Sequence, residues 1–420
     1  MLRLIFLAVG TLVAALIWAV LVFFSVSEGW IRTPLASSDT PDAFVAAARR
    51  LAEEESVGTL SLMLIEDGDR AGGFDISAGA PVDEDSVFQV ASLSKWLTAW
   101  GVMVLAEEGA VDLDAPVETY LTRWTLPESE FDPSGVTLRR LLSHTAGLSD
   151  GLGYDGFDSA GDVQSLEESL TRAEDASPGN DGAVRIGAEP GSGWDYSGGG
   201  YTLMQLVIEE VSGDAFSEFM EARIFEPLGM NRTTFDYARA QDLGFAENYT
   251  PEGATEPYRH YTALGAASLF TTTADMARFI EAQTDEDGQD VLSEETLELM
   301  RTPHASQLGA DIWGLGVMLY APNGHGGHII GHDGNNEPAI NTAARFDPAT
   351  GDGIVVLETG SRLLATRLAG EWVFWKTGKV DNLMFALAIE RMLLWIAGGA
   401  LLILIGGAWI GWRGSRKPRA

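Results

Sequence analysis

Phe88-Gln89-Val90-Ala91-Ser92-Leu93-Ser94-Lys95 opens the most apolar helical pattern in the middle of the chain. The pattern runs over 92–108, carries Leu93, Trp96, Leu97, Trp100, Val104 and Leu105, and stops at Gly109. Apolar residues on more than one face predict a buried helix. Ser92 and Lys95 stand three apart and so share a face. A serine at the start of a helix lies in the positive end of its dipole, which favours a developing alkoxide. A buried lysine has a lowered pKa and accepts the serine proton. S-x-x-K recurs by chance, and a capping serine beside a solvated lysine would look the same. Only four lysines occur in 420 residues, however, and one of them sits inside this apolar helix.

Outward from that helix, residues 41–55 form a helical pattern opened by Pro41 after Thr40. Strand patterns at 57–66 and 71–80 flank the turn Asp67-Gly68-Asp69. Downstream, 110–260 mixes helices, the clearest at 201–211, with Gly-rich loops, and the acidic stretch 150–190 shows no regular pattern. Helices follow at 273–282 and 293–301, strands at 313–320, 327–331, 339–346 and 354–358, and a last helix at 362–375. Strands, a long helical stretch and strands again predict one sheet with an inserted helical lobe. A cleft between the two is the natural place for a site.

Charge and composition narrow the function. Residues 27–390 hold all 61 acidic side chains and all but six of the 27 basic ones. That surface repels nucleic acid and anionic lipid and reads as a solvated acidic coat. The absence of cysteine excludes disulfides, cysteine–zinc sites and a thiol nucleophile. Residues 4–24 are uncharged after Arg3, long enough to cross a bilayer core of about 30 Å. A cleaved signal peptide is the alternative, but the run is long and Ser25-Val26-Ser27 is a poor cleavage site. Residues 392–412 form a second uncharged run, followed by Arg413, Arg416, Lys417 and Arg419. The positive-inside bias puts that tail, and through Arg3 the N-terminus, in the cytoplasm. The expected organisation is an anchor at 1–26, a linker at 27–40, an extracytoplasmic catalytic domain at 41–380, a span at 392–412 and a basic tail at 413–420.

Further motifs follow in order: Leu141-Leu142-Ser143-His144-Thr145-Ala146-Gly147-Leu148, Pro190-Gly191, Tyr196-Ser197-Gly198-Gly199-Gly200-Tyr201, Pro227-Leu228-Gly229-Met230, Ser268-Leu269-Phe270-Thr271-Thr272-Thr273-Ala274-Asp275-Met276 and Gly331-His332-Asp333-Gly334. With S-L-S-K they resemble the serine β-lactamase and penicillin-binding superfamily, in the branch similar to class C β-lactamases, D-aminopeptidases and related esterases. The resemblance covers about residues 45–360. It implies that Ser92 is acylated, that Lys95 is the base or holds it, and that Tyr196 shuttles the proton. That last role requires nearby cations, Lys95 among them, to lower the phenol. His332 stands in the third motif, where Gly334 lets the backbone approach substrate. The implied oxyanion hole is the backbone N–H of Ser92 and of Asn335.

Two departures bear on substrate. Gly198 replaces an Asn that in many relatives holds a substrate amide, and His332 replaces the Lys of carboxylate-recognising members. Both lean toward an ester, or toward a substrate without a free C-terminal carboxylate. Three other patterns compete. Lys376-Thr377-Gly378 matches the third motif literally but follows the last helix, where a juxtamembrane basic pair with Lys379 fits better. Gly147-Leu148-Ser149-Asp150-Gly151 matches a nucleophile elbow but lacks a preceding strand. His325, His328 and His332 are spaced like metal ligands but lie among glycines with no completing carboxylate. His144 reads as a loop-tying histidine. The expected fold is α/β, an antiparallel sheet flanked by helices with an inserted mainly helical lobe and a transmembrane helix at each end. The expected activity is hydrolysis of small esters, amides or D-amino-acid peptides through an acyl-enzyme, with no metal and no organic cofactor. A penicillin-recognising peptidase or β-lactamase is the alternative, and a catalytically silent receptor for cell-wall fragments a further one.

Overall fold

Alternating and fully apolar strand patterns at both ends of the folded region meet in one sheet. The computed structural model of the chain describes residues 2–150, 153–284 and 289–415. Its strands are β1 (Thr59–Glu66), β2 (Asp69–Ser77), β3 (Phe88–Gln89), β4 (Phe270–Thr271), β5 (Ala305–Gln307), β6 (Ala310–Trp313), β7 (Met318–Pro322), β8 (His328–Asn336), β9 (Ile340–Phe346) and β10 (Gly353–Thr359). Eight of them form an antiparallel sheet in the order β2-β1-β10-β9-β8-β7-β6-β5. The first long strand therefore pairs with the last, Thr59 opposite Thr359. β9 and β10 are buried at every residue, which explains their unbroken apolar runs. β3 and β4 make a separate two-stranded pair beside Ser92.

The helices are α1 (Leu2–Ser27), α2 (Pro41–Glu55), α3 (Ser94–Glu107), α4 (Leu138–Leu142), α5 (Leu166–Arg172), α6 (Gly198–Ser212), α7 (Phe216–Met220), α8 (Tyr237–Leu243), α9 (Leu264–Ala267), α10 (Thr273–Glu281), α11 (Glu294–Arg301), α12 (Leu364–Thr377) and α13 (Asn382–Ser415). α3 is buried continuously from Ser94 to Leu105, as its all-round apolar pattern predicts. Trp96 meets Phe279 of α10 edge-on at 4.9 Å and stacks on Phe346 of β9 at 5.9 Å, and Trp100 lies 4.9 Å from Phe279. Each such pair adds about 0.5–1.5 kcal/mol beyond area burial. Together they wedge α3 between α10 and the sheet, which fixes where its first turn ends up. On its other side α3 packs on α6 and α9 of the helical lobe.

Several boundaries differ from the sequence reading. α3 begins at Ser94, and Ser92 lies in a 3-10 turn, Ala91–Leu93, just before it. The expected strand 313–320 is two strands: the chain turns at Gly314 and Gly316, where a Cβ would lie 2.1 Å from Met300 O and 2.1 Å from Ala99 Cβ respectively. The expected strand 327–331 runs on to Asn336, so His332 and Gly334 lie within β8. The stretch 150–190 contains α5, whose start Ser165-Leu166-Glu167-Glu168 forms a capping box that the sequence spelled out.

Residues Leu35–Trp372 form one compact unit; residues up to Pro34 and from Val373 onward form another. Within the second unit α1 and α13 pack antiparallel: Phe23 meets Phe385, the Trp18 indole N–H donates to Trp395 O at 3.0 Å, and Thr11 faces Gly407. Small residues allow the approach, since a Cβ at Gly399 would lie 2.0 Å from the Trp18 indole nitrogen. Ile5–Ser27 and Asn382–Arg413 are each long and apolar enough to cross a membrane. Arg416, Lys417 and Arg419 of the basic tail lie outside the described residues.

Candidate active site

The turn that carries Ser92 is pinned by three hydrogen bonds, two to Leu269 and one to Thr342. Val90 N–H donates to Leu269 O at 2.9 Å, and Val90 O accepts from the Thr342 hydroxyl of β9 at 2.9 Å. The Ser94 hydroxyl accepts from Leu269 N–H at 2.9 Å. Ala91 is held at φ +50°, a left-handed conformation rare outside glycine and found where structure over-determines the backbone. Ser92 is left partly exposed. As one of the first residues of a helical turn, it has a backbone N–H with no acceptor within the helix.

Lys95 is 1% exposed, and its ammonium has two oxygen partners: Ala266 O at 2.7 Å and Ser92 Oγ at 3.0 Å. The Tyr196 and Tyr201 rings lie 5.0 and 5.6 Å from Nζ. Burial brings Lys95 down to about 7, with the Asp150 carboxylate opposing. Near neutral pH a large fraction of Lys95 is therefore the free amine, able to take the serine proton. The same α9 segment braces the helix again through Thr98, whose hydroxyl donates to Gly265 O at 2.9 Å.

Tyr196 also hydrogen-bonds Ser92, and burial pushes its phenol up, that bond offsetting only part of the rise. The expectation that Lys95 would lower the Tyr196 phenol is not met: Lys95 Nζ lies 5.0 Å from the ring centre, and burial of the phenol outweighs it. Tyr196 thus stays a neutral phenol at rest, and of the two side chains on Ser92 it is Lys95 whose free form is accessible near neutral pH. The tyrosine is fixed through His144 on both flanks, since Asp195 N–H donates to His144 O at 2.9 Å and Ser197 N–H to His144 Nδ1 at 3.0 Å. The His144 ring lies 4.4 Å from the Tyr196 ring. Burial and the Lys95 charge hold His144 well below the usual histidine range, so it is neutral with its proton on Nε2. Its role as a loop-tying residue agrees with its sequence reading.

His332 is 1% exposed and held down to about 3, by burial first and by Lys95 second. Its Nδ1 lies 2.6 Å from Asp333 O. A carbonyl only accepts, so the neutral ring carries its proton on Nδ1 and keeps Nε2 as an acceptor. Asp333 points to the other sheet face, where it pairs with buried Arg345 at 2.8 Å and accepts from the Tyr320 hydroxyl at 2.6 Å. Gly334 is required by space: a Cβ there would lie 2.2 Å from Val90 O and 2.4 Å from Thr342 Oγ1. β7 pairs with β8 only as far as Gly331, which leaves the β8 edge from His332 to Asn336 unpaired on that side, next to the Ser92 turn. The Asn335 side chain donates to Arg362 O.

Ser92, Lys95, Tyr196, His332 and Gly334 thus gather around one point, with Asn335 next along the strand. Sequence reasoning missed three neighbours. Trp313 lies 5.7 Å from the Tyr196 ring and 5.5 Å from His332, Trp194 lies 5.7 Å from Trp313, and Asp150 supports the Tyr196 turn. Asp150 had stood out only as part of the G-x-S-x-G pattern. Ser149 of that pattern is held on a loop, its N–H donating to Arg185 O, with no strand-to-helix elbow; Gly151 lies outside the described residues. Lys376 lies at the end of α12 rather than on a strand. His325 is exposed on a loop while His332 is buried in β8, and among the described residues no three His, Cys, Asp or Glu side chains are placed to hold a metal.

Residues 44–371 match the family described as Beta-lactamase. The chain belongs to the beta-lactamase family. Within this family of serine hydrolases it is 30% identical to Penicillin-binding protein 4* of Bacillus subtilis (strain 168) over 273 residues, 60% of this chain and 56% of that protein. It is 30% identical to Penicillin-binding protein 4 of Amycolatopsis lactamdurans over 306 residues, 68% and 76% of the two chains. It is 33% identical to Esterase EstB of Burkholderia gladioli over 202 residues, 44% and 47%. The match therefore covers roughly half to three-quarters of these relatives' lengths. The octameric penicillin-binding protein homologue from Pyrococcus abyssi superposes with TM-score 0.65 at 26% identity, covering 83% of this chain and 76% of that one. Beta-Lactamase/D-Alanine Carboxypeptidase from Pseudomonas syringae shares the fold, with TM-score 0.63 at 19% identity over 79% and 97%.

Proposed function

We propose that the chain is a membrane-anchored hydrolase that forms an acyl-enzyme on Ser92 and releases it with water, acting on small esters or amides. The observation that carries this is the Lys95 ammonium, 3.0 Å from Ser92 Oγ, anchored on Ala266 O and brought by burial to about 7. Lys95 as free amine takes the Ser92 proton while Oγ attacks the carbonyl carbon. The developing oxyanion lies against the backbone N–H groups of Ser92 and Asn335, each such donor contributing about 10²–10³ in rate. Tyr196 passes its phenolic proton to the leaving group, and the proton that Lys95 took from Ser92 then returns to the phenolate, which leaves both groups neutral. Water then takes the leaving group's place, and the same groups run in reverse.

Two features favour an ester or an uncharged amide over a terminal carboxylate. His332 is neutral and keeps only an acceptor nitrogen, so it offers a carboxylate neither charge nor a hydrogen. Gly198 has no side chain to hold a substrate amide. The esterase relative fits this reading, whereas the penicillin-binding relatives keep a penicillin-recognising enzyme as the second reading. The two apolar helices support anchoring, and their antiparallel packing supports both termini lying on one side. Arg413 and the basic residues after it favour the cytoplasm for that side, with the acidic unit opposite. A panel of p-nitrophenyl esters, D-amino-acid amides and a fluorescent penicillin, offered to the full-length protein in detergent, tests the choice. Ester turnover that disappears in Ser92→Ala is expected. Stable penicillin labelling of Ser92 without ester turnover would favour the second reading.

A further inference from the structure

Asp150 takes no part in the proton transfers above, yet it is 8% exposed and both its carboxylate oxygens are engaged by the residues just after Tyr196. Oδ1 accepts from the Ser197 hydroxyl, and Oδ2 accepts from Gly199 N–H at 2.5 Å. The Ser197 hydroxyl in turn accepts from Gly200 N–H at 2.8 Å and caps α6. Anionic acceptors suit the N-terminal turn of a helix, where free N–H groups and the dipole converge. The fit leaves no slack: a Cβ at Gly199 would lie 2.8 Å from Asp150 Cγ and 2.5 Å from a Val184 methyl. Tyr196 is the residue immediately before this clamp.

Lys95 faces Ser92, the Ala266 carbonyl, the rings of Tyr196 and Tyr201, and the neutral His144 and His332. The charge acting on it from the α6 side is that of Asp150. Asp150 itself is bonded to Ser197 and Gly199, and its charge acts on Lys95 and on the Tyr154 phenol, which is hydrogen-bonded to Thr202 at 2.8 Å. We infer that Asp150 is a positioning residue of the acyl-transfer site, clamping the Tyr196 turn onto the start of α6 while presenting a negative charge to Lys95. When Lys95 takes the serine proton, that charge favours the ammonium formed. Burial alone would otherwise make Lys95 a weaker base, because it disfavours the charged form. Burial brings Asp150 itself up to about 6, so it is ionised where Lys95 works.

The inference rests on the proposed roles of Ser92 and Lys95, and two variants separate its parts. Asp150→Asn keeps the shape and removes the charge; Ser197→Ala keeps the charge and loosens the clamp. The measurement is the second-order rate of Ser92 labelling by a fluorophosphonate from pH 5 to 9, on the full-length protein in detergent. Asp150→Asn is expected to shift the acid limb to lower pH and to lower the plateau by up to about tenfold, the upper limit of what one pKa unit in the base brings. Ser197→Ala is expected to lower the plateau with the limb in place. The limb's midpoint does not depend on how much of a variant is folded, so partial misfolding does not mimic the shift. An Asp150→Asn limb that coincides with wild type, or moves upward, overturns the inference. Absence of Ser92-dependent labelling in wild type instead overturns the acyl-transfer reading itself.

Discussion

Lys95 hydrogen-bonds Ser92 Oγ at 3.0 Å and Ala266 O at 2.7 Å, and its burial brings it to about 7. With Lys95 proposed as the base, its free amine is the active form, so labelling or turnover is expected to rise with pH through about 7 and to fall below it. Lys95→Ala is expected to cut the rate by about 10² or more, within the usual range for a positioned base, and to abolish that limb. A steady-state pH profile of both proteins checks it; an unchanged limb in the variant assigns the titration to another group. Ser92, Lys95 and their spacing were legible in the sequence because S-x-x-K lies inside an apolar helix and lysines are scarce. Ala266 O and the Asp150 carboxylate were not. The first is a backbone atom with no signature, and the second sits in a loop 55 positions from Lys95 whose partners appear only once α6 docks. The state of Tyr196 was misjudged for a related reason. Proximity to a cation was readable in outline, but the degree of desolvation was not.

At the scale of elements, the strands and helices with strong periodicity emerged where expected, and α2 over its full length. Failures fall where glycine acts through space rather than through pattern. Gly314 and Gly316 split one apparent strand into two because neighbouring backbone and Ala99 leave no room for a Cβ, a property of packing. The acidic stretch before Tyr196 hid α5, though its capping box was visible. β10 carries another feature that its apolar run did not flag. Glu358 is fully buried, and burial holds its carboxyl well above the usual range, the Ser361 backbone offsetting part. A carboxyl raised in the folded state binds its proton more tightly there than in the unfolded chain. Its cost is therefore absent at low pH and grows as pH rises above the ordinary glutamate value toward the folded one. Glu358→Gln is expected to raise the denaturation midpoint at pH 8 and to change it little at pH 4. An equal effect at both pH values would show that Glu358 does not change its protonation on folding.

Over the whole molecule, the two ends and the acidic middle were readable from composition alone, because apolar length and charge segregation need no tertiary information. Helix pairing was not readable: which faces of α1 and α13 meet depends on Gly399 and Gly407 giving room to Trp18 and Thr11. The chain contains no cysteine, which makes the pairing simple to test. The Thr11 Cβ lies 3.0 Å from where a Cβ on Gly407 would stand. A Thr11→Cys/Gly407→Cys double variant is therefore expected to cross-link under mild oxidation in membranes, and Thr11→Cys/Phe385→Cys is not. The reverse pattern, seen on reducing and non-reducing gels, would mean that the helices run parallel and that the termini lie on opposite sides.

The central claim is that Ser92 is the nucleophile, and the direct measurement is site mapping of a covalent adduct. Full-length protein treated with an active-site-directed fluorophosphonate at pH 8 and digested for mass spectrometry is expected to carry one adduct, on Ser92, lost in Ser92→Ala. An adduct on Ser149 or any other residue, or equal labelling of wild type and Ser92→Ala, would contradict the account.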